Sequence, residues 1–133
     1  MIAYDTNILI YALEGTSDWA TAAQDVVTQG ERDGAVLSVL AWQELMTGAV
    51  LKGNGLDATL ARVLNDFSTT KFVPVTQAIC ERAVALTKRY GKQVYGYDAI
   101  HLATAIDHKV MVFITNDKQL LQVHIDGLEI RGL

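Results

Sequence analysis

Short apolar runs alternate with helical segments along the whole chain, and this alternation constrains the fold more than any other feature. Apolar strands separated by helices are typical of a mostly parallel sheet that helices cover on both faces. The sequence therefore predicts the α/β class. The predicted strands lie at residues 1–4, 35–39, 72–75, 110–115 and 128–131.

The segments between these runs carry helical periodicity. Apolar side chains recur three and four positions apart after Trp19 and again after Leu56, as they do along one face of a helix. We predict that the helix after Trp19 ends just before Gly30, and that Thr76 caps a helix that ends near Gly91. The other predicted helices lie at 7–13, 44–52, 56–67 and from about 98 onward.

Length and composition fit one domain with its own core. The chain has 133 residues, of which 50% are hydrophobic, and a domain of this size buries roughly two-thirds of its unfolded surface. We therefore expect residues 1–133 to form a single domain. Cys80 is the only cysteine, which excludes an internal disulfide and a multi-cysteine zinc site, and we interpret it as a core residue.

The sequence also predicts a cellular location. The apolar run at 110–114 is far too short to cross a membrane and is followed at once by polar residues. The first residues lack the basic segment of a signal peptide and carry Asp5 within their apolar stretch. Together with the lone cysteine, these features predict a soluble protein of the reducing cytoplasm that does not contact a membrane.

Acidic residues stand where the strands end. Asp5 follows the first predicted strand, Asp117 follows the fourth, and Glu44 comes shortly after the second. Asp98 opens the helix that leads back into the fourth strand. Ligands of parallel sheets bind outside the carboxyl ends of the strands, so we expect these four acids to converge there.

Each acid also has a purely structural interpretation. Asp98 or Asp117 alone is typical of a helix N-cap, and Glu44 alone is typical of a solvated helix position. Asp5 is costly to bury unless something cationic meets it. Four convergent carboxylates repel one another and need a cation, and oxygen ligands alone favour Mg²⁺ or Mn²⁺. Such a site is suited to metal-assisted hydrolysis of phosphodiesters.

The motifs around the four acids resemble those of the PIN-domain ribonucleases. They are Asp-Thr-Asn at 5–7, Trp-Gln-Glu-Leu at 42–45, Asp-Ala-Ile-His-Leu-Ala-Thr-Ala at 98–105, and Thr-Asn-Asp at 115–117. The resemblance spans nearly the whole chain and is greatest to the toxin subunits of VapBC-type toxin–antitoxin pairs. It implies a three-layer α/β/α sandwich and a Mg²⁺- or Mn²⁺-dependent endoribonuclease. It also implies a homodimer that a cognate small antitoxin protein inhibits.

The resemblance assigns roles residue by residue. It implies that Asp5, Glu44 and Asp98 are the core acidic ligands and that Asp117 completes the set. The polar residues that it places in support of these acids are Thr6, Asn7 and Thr115.

Charge neither excludes nor establishes a nucleic-acid substrate. The net charge of −4 argues against a broad electrostatic grip on RNA, but without the four acids the remaining acidic residues equal the 11 basic ones in number. Lys88, Arg89 and Lys92 lie just before Asp98. They are typical of a solvated helix end, and equally of a contact with RNA phosphates.

Three other features favour structural roles. His101, one turn after Asp98, is more typical of a structural histidine than of a catalytic one. Trp19 and Trp42 are more typical of packing or dimer contacts than of base stacking. The segment at 53–58 matches a dinucleotide-binding fingerprint, but it follows a helix instead of a strand, so we reject that interpretation.

Two alternative functions stay open at this point. An aspartate-nucleophile phosphatase or phosphotransfer domain would want a second acid two residues after Asp5, or an acidic pair, where this chain has Asn7 and Tyr4. A non-catalytic partner-binding module would not need four convergent carboxylates.

Overall fold

A computed structural model describes residues 1–53 and 55–133, and within these ranges it describes no side chain for Leu56, Thr59 or Leu64. Over the described residues, five parallel strands form one sheet in the order β3-β2-β1-β4-β5. The strands are β1 (Ile2–Tyr4), β2 (Ala35–Ser38), β3 (Thr70–Val73), β4 (Val112–Ile114) and β5 (Glu129–Arg131). The predicted α/β class is confirmed, and the sheet is wholly parallel.

Helices connect the strands. They are α1 (Thr6–Glu14), α2 (Ala20–Asp33), α3 (Val39–Leu51), α4 (Leu56–Asp66), α5 (Gln77–Tyr90) and α6 (Gly96–Asp107). Short 3₁₀ turns lie at Gly91–Gln93 and Leu120–Gln122. Within the described residues, no helix combines the length and the apolar character that crossing a bilayer requires.

The sheet separates two apolar cores. Alternate strand residues point to opposite faces, so Ala3, Val36 and Phe113 pack with α5 and α6, whereas Tyr4 and Leu37 pack with the helices α1 to α4. Both faces are therefore covered, which gives the predicted three-layer α/β/α sandwich. Burial on both faces explains why the inner strands are continuously apolar.

The order of the strands fixes where a site can form. From β1 the chain moves outward to β2 and β3, and it then returns to the other side of β1 to form β4 and β5. The direction of winding therefore reverses beside β1. At such a reversal the connecting segments diverge and leave a crevice outside the carboxyl ends of the strands.

Gly30 does not end α2, as the sequence pattern predicted. The helix continues to Asp33, and Gly34, with φ 91°, follows its end. Gly30 is buried against the sheet, where an added Cβ would lie 3.0 Å from the Ala35 Cβ. The glycine therefore permits close packing of the helix on β2 and is not an end signal.

The third strand begins and ends earlier than predicted, at 70–73 instead of 72–75. Glu31 on α2 accepts hydrogen bonds from the Thr69 N–H at 2.9 Å and from the Thr70 hydroxyl at 2.9 Å. These bonds fix the start of β3. Pro74 follows its end and has no N–H to donate to the sheet.

Two other sequence interpretations have different outcomes. Cys80 is exposed on α5, so the prediction that it fills the core is wrong. It follows the fully buried Ile79, and the turn of the helix carries it to the outer surface. The rejected fingerprint at 53–58 includes Asn54, which lies outside the described residues.

Candidate functional site

The predicted acids are placed around the carboxyl end of β1. Asp5 follows β1 directly, Asp117 follows β4, and Glu44 lies in the second turn of α3, the helix that begins where β2 ends. Asp98 lies in the first turn of α6. Since α6 leads back to the start of β4, its first turn is also at the carboxyl edge of the sheet.

Asp5 is a buried carboxylate with two hydrogen bonds. It is 6% exposed, and its Oδ1 accepts from the Ile8 N–H at 3.3 Å, which makes it the N-cap of α1. Its Oδ2 accepts a hydrogen bond from the Thr115 hydroxyl. Burial raises the pKa of Asp5, and the bonds from Thr115 and Ile8 only partly oppose this effect. Ionised Asp5 therefore lacks full compensation from the protein.

Thr115 joins two of the acids. Its fully buried hydroxyl donates to Asp5 and accepts from the Asp117 N–H at 3.0 Å. Asp117 is exposed, and its Oδ1 accepts from the N–H groups of Gln119 at 2.8 Å and Leu120 at 3.3 Å. The loop after β4 is thus fixed relative to the end of β1.

Glu44 is held through one oxygen. Its Oε1 accepts from the Thr6 hydroxyl at 3.0 Å and lies 2.9 Å from His101 Nε2. Partial burial would raise the pKa of Glu44, but the contact with His101 and the bond from Thr6 outweigh it and lower that pKa. Glu44 therefore stays ionised.

The charges of the other three acids all raise the pKa of Asp98. Its pKa is raised by partial burial, then by the charge of Asp117, and further by Asp5 and Glu44, against the opposing influence of His101. The N-cap of α6 is Tyr95, and Asp98 lies inside the helix, so its structural interpretation as an N-cap is wrong. Capping is performed by Asp5 at α1 and by Asp117 in its turn.

The predicted supporting residues have different positions. Thr6 and Thr115 are buried and donate to Glu44 and Asp5 respectively. Asn7 is exposed, and among the described residues its side chain hydrogen-bonds to none of the four acids. The Asn7 backbone N–H, however, lowers the pKa of Asp5.

The basic residues lie on the segment that enters α6. Lys88 and Arg89 occupy the last turn of α5 and Lys92 lies in the 3₁₀ turn that follows. The Arg89 guanidinium lies 5.5 Å from the centre of the Tyr90 ring. In the part of the chain that the structure describes, no carboxylate forms an ion pair with these three side chains.

The donor set suits a hard cation, although its members are spaced apart. Over the described residues, no three Asp, Glu, His or Cys side chains are close enough together to hold one ion directly. Mg²⁺ typically uses one or two carboxylates and keeps several water molecules. The oxygen donors and the raised pKa of Asp98 fit such a partly hydrated ion, because a cation would relieve the repulsion at that carboxylate.

Sequence reasoning did not identify the partners of His101. The side chain is 5% exposed and lies between Ser38 and Glu44, which belong to two other elements. Its spacing from Asp98, three positions along one helix, was the available signal. Its partners are distant in sequence, so the pattern alone could not predict them.

The fold and the site together define a parallel α/β domain with an acidic crevice at the reversal of its sheet. The chain belongs to the PIN domain family, whose sequence profile matches residues 2–125. A comparison with curated protein sequences found no match.

Solved structures give the same fold. A toxin–antitoxin complex from Klebsiella pneumoniae contains a chain with 29% identity and a TM-score of 0.69, over 98% of this chain and 100% of that one. VapBC2 from Rickettsia felis, bound to a DNA fragment from its promoter, has 17% sequence identity and a TM-score of 0.74, over 100% of this chain and 99% of that one. DNA-bound VapBC from Salmonella typhimurium has 20% sequence identity and a TM-score of 0.71, over 98% of this chain and 96% of that one.

The raised pKa of Asp98 predicts how Asp98→Asn changes metal-free stability with pH. Because the folded pKa lies above the unfolded one, the folded state binds the proton more tightly, and stability falls as pH rises through this range. Removing the charge should therefore make the variant at least as stable as the parent at neutral pH. This advantage should vanish in acid, where Asp98 is protonated in both states. Urea unfolding in EDTA at several pH values measures the difference in free energy of unfolding between variant and parent. If the variant loses stability relative to the parent on going from acid to neutral pH, the assignment is contradicted.

Proposed function

We propose that this protein is a Mg²⁺- or Mn²⁺-dependent endoribonuclease and the toxin of a type II toxin–antitoxin pair. The observation that carries the proposal is the placement of Asp5, Glu44, Asp98 and Asp117 at the reversal of a PIN-domain sheet. PIN-family membership favours a nuclease over an aspartate-nucleophile phosphatase. A non-catalytic module would gain nothing from three acids whose charges disfavour the ionisation of Asp98.

One or two of the four carboxylates would bind the metal directly, and the others would contact it through its coordinated water molecules. When bound, the cation would lower the pKa of a coordinated water and neutralise charge on the phosphodiester. The protein's own residues orient the acids for this task. Thr115 holds Asp5 and the loop of Asp117, and Thr6 holds Glu44, so these acids are positioned before any ligand arrives.

An antitoxin protein is the proposed partner, and an apolar groove supports this part of the proposal. The groove has a volume of about 640 Å³ and lies between α1, α3 and α4. Leu13, Leu45 and Ala49 line it, and the ion pair of Lys52 with Glu14 stands at its side. Its apolar lining suits the apolar face of a helix or extended segment. The structural neighbour from Klebsiella pneumoniae, described as a toxin–antitoxin complex, supports a partner of this kind.

We further propose that residues 1–133 form a single domain that forms a homodimer and works in the cytoplasm. Apolar side chains of α3 support the dimer, because Val50 and Leu51 are 53% and 82% exposed. Trp42 lies half-buried on the same helix. Trp19 is exposed at the start of α2 and is a second candidate contact.

The proposal predicts metal-dependent RNA cleavage. RNA fragments should accumulate with Mg²⁺ or Mn²⁺ and should not form in EDTA, because the acids cannot polarise the phosphodiester without a cation. Asp98→Asn should abolish cleavage, whereas Asp126→Asn, which removes one charge from a fully exposed loop position, should keep it. Gel analysis of total RNA, with mapping of the cleaved ends, measures both. Full activity of the chelated protein would exclude the mechanism.

The basic segment predicts how salt affects RNA binding. If Lys88, Arg89 and Lys92 contact phosphates, replacing all three by alanine should weaken binding to an RNA oligonucleotide and make its salt dependence shallower. A matched control replaces Arg32, Lys71 and Lys109, which lie at the end of α2, in β3 and before β4, by alanine. Both variants lose three positive charges. Equal salt slopes for the two variants would assign 88–92 to the solvated surface.

A further inference from the structure

His101 connects three separate elements. Its ring lies on α6, its Nδ1 is 3.2 Å from the Ser38 hydroxyl at the end of β2, and its Nε2 is 2.9 Å from Glu44 Oε1 on α3. Ser38 is 1% exposed and also caps α3, since its hydroxyl oxygen accepts from the Leu40 N–H at 3.1 Å. The ring is therefore fixed from both sides.

The hydrogen-bond inventory assigns the proton positions. Ionised Glu44 can only accept, so Nε2 must carry the hydrogen of that contact. The Ser38 hydroxyl oxygen already accepts from the Leu40 N–H, and its hydrogen can be donated to Nδ1. A singly protonated ring therefore carries its proton at Nε2.

We propose that His101 is a positioning residue which, held by Ser38 at Nδ1, donates from Nε2 to Glu44 and so orients this carboxylate for metal binding. The proposal rests on the proposed function, since it concerns the same acidic site. Both donors to Glu44, from Thr6 and His101, use Oε1. Among the described residues none donates to Oε2, so this oxygen is left for a cation.

The Nε2–H donor fixes the direction of the Glu44 carboxylate from outside the proposed metal site. Loss of such an outer hydrogen bond typically weakens metal binding about 10- to 100-fold.

Two substitutions separate this role from general polarity. The amide nitrogen of His101→Gln can reach the position of Nε2 and donate to Glu44, whereas that of His101→Asn reaches only as far as Nδ1. Mn²⁺ binding, followed by electron paramagnetic resonance of free Mn²⁺, should be kept within about threefold in the Gln variant. In the Asn variant it should weaken by about 10- to 100-fold. Equal affinities for these two variants and the parent would overturn the proposal.

A second measurement needs neither metal nor substitution in the measured protein. Long-range ¹H–¹⁵N correlation spectra of the metal-free parent, at alkaline pH, should give His101 the pattern of an Nε2–H tautomer with Nδ1 as an acceptor. The spectrum of His101→Gln identifies the signal, which disappears there while those of His108 and His124 stay. An Nδ1–H tautomer would overturn the proposal even if the Asn variant does not fold. A parent that shows this tautomer and the Gln–Asn difference but cleaves no RNA would refute the proposed function alone.

Discussion

The burial of the Asp5 carboxylate at the centre of the sheet is the constraint on which the rest of the site depends. A carboxylate that is 6% exposed must find hydrogen bonds or a cation. The protein supplies the Ile8 N–H and the Thr115 hydroxyl, and these bonds couple the start of α1 and the end of β4 to β1. Burial still raises the pKa of Asp5, so these bonds compensate its charge only in part.

The acids of the crevice divide into two kinds. Glu44 and Asp117 are fixed by donors from the protein, at Oε1 and Oδ1 respectively. Within the described part of the chain Asp98 forms no capping bond, and its pKa is raised by burial and by the charges of its neighbours. Glu44 and Asp117 are already held in place beside the uncompensated Asp98. A cation could therefore bind there with little rearrangement of these side chains. Under the proposed function, the uncompensated charge of Asp98 is what a bound cation would relieve.

Sequence patterns predicted the layers of the fold and the edge of the sheet at which the acids lie, because both follow from local periodicity and from the rule for parallel strands. They did not predict features that depend on contacts between residues far apart in the sequence. Gly30 signals close packing on Ala35 and Tyr4, and the exposure of Cys80 depends on which face of α5 meets the sheet. The contact of His101 with Glu44 joins residues that are 57 positions apart. No local window contains both residues.

The most direct test of the central claim is the melting temperature of the parent and of Asp98→Asn as Mg²⁺ is added. An ion that binds the native crevice and not the unfolded chain stabilises the parent, by about 2.7 kcal/mol at 100 times Kd. The account predicts a rising melting temperature for the parent and for the Asp126→Asn control, and a much smaller rise for Asp98→Asn. Equal shifts for the parent and Asp98→Asn, or no shift in the parent, would contradict it.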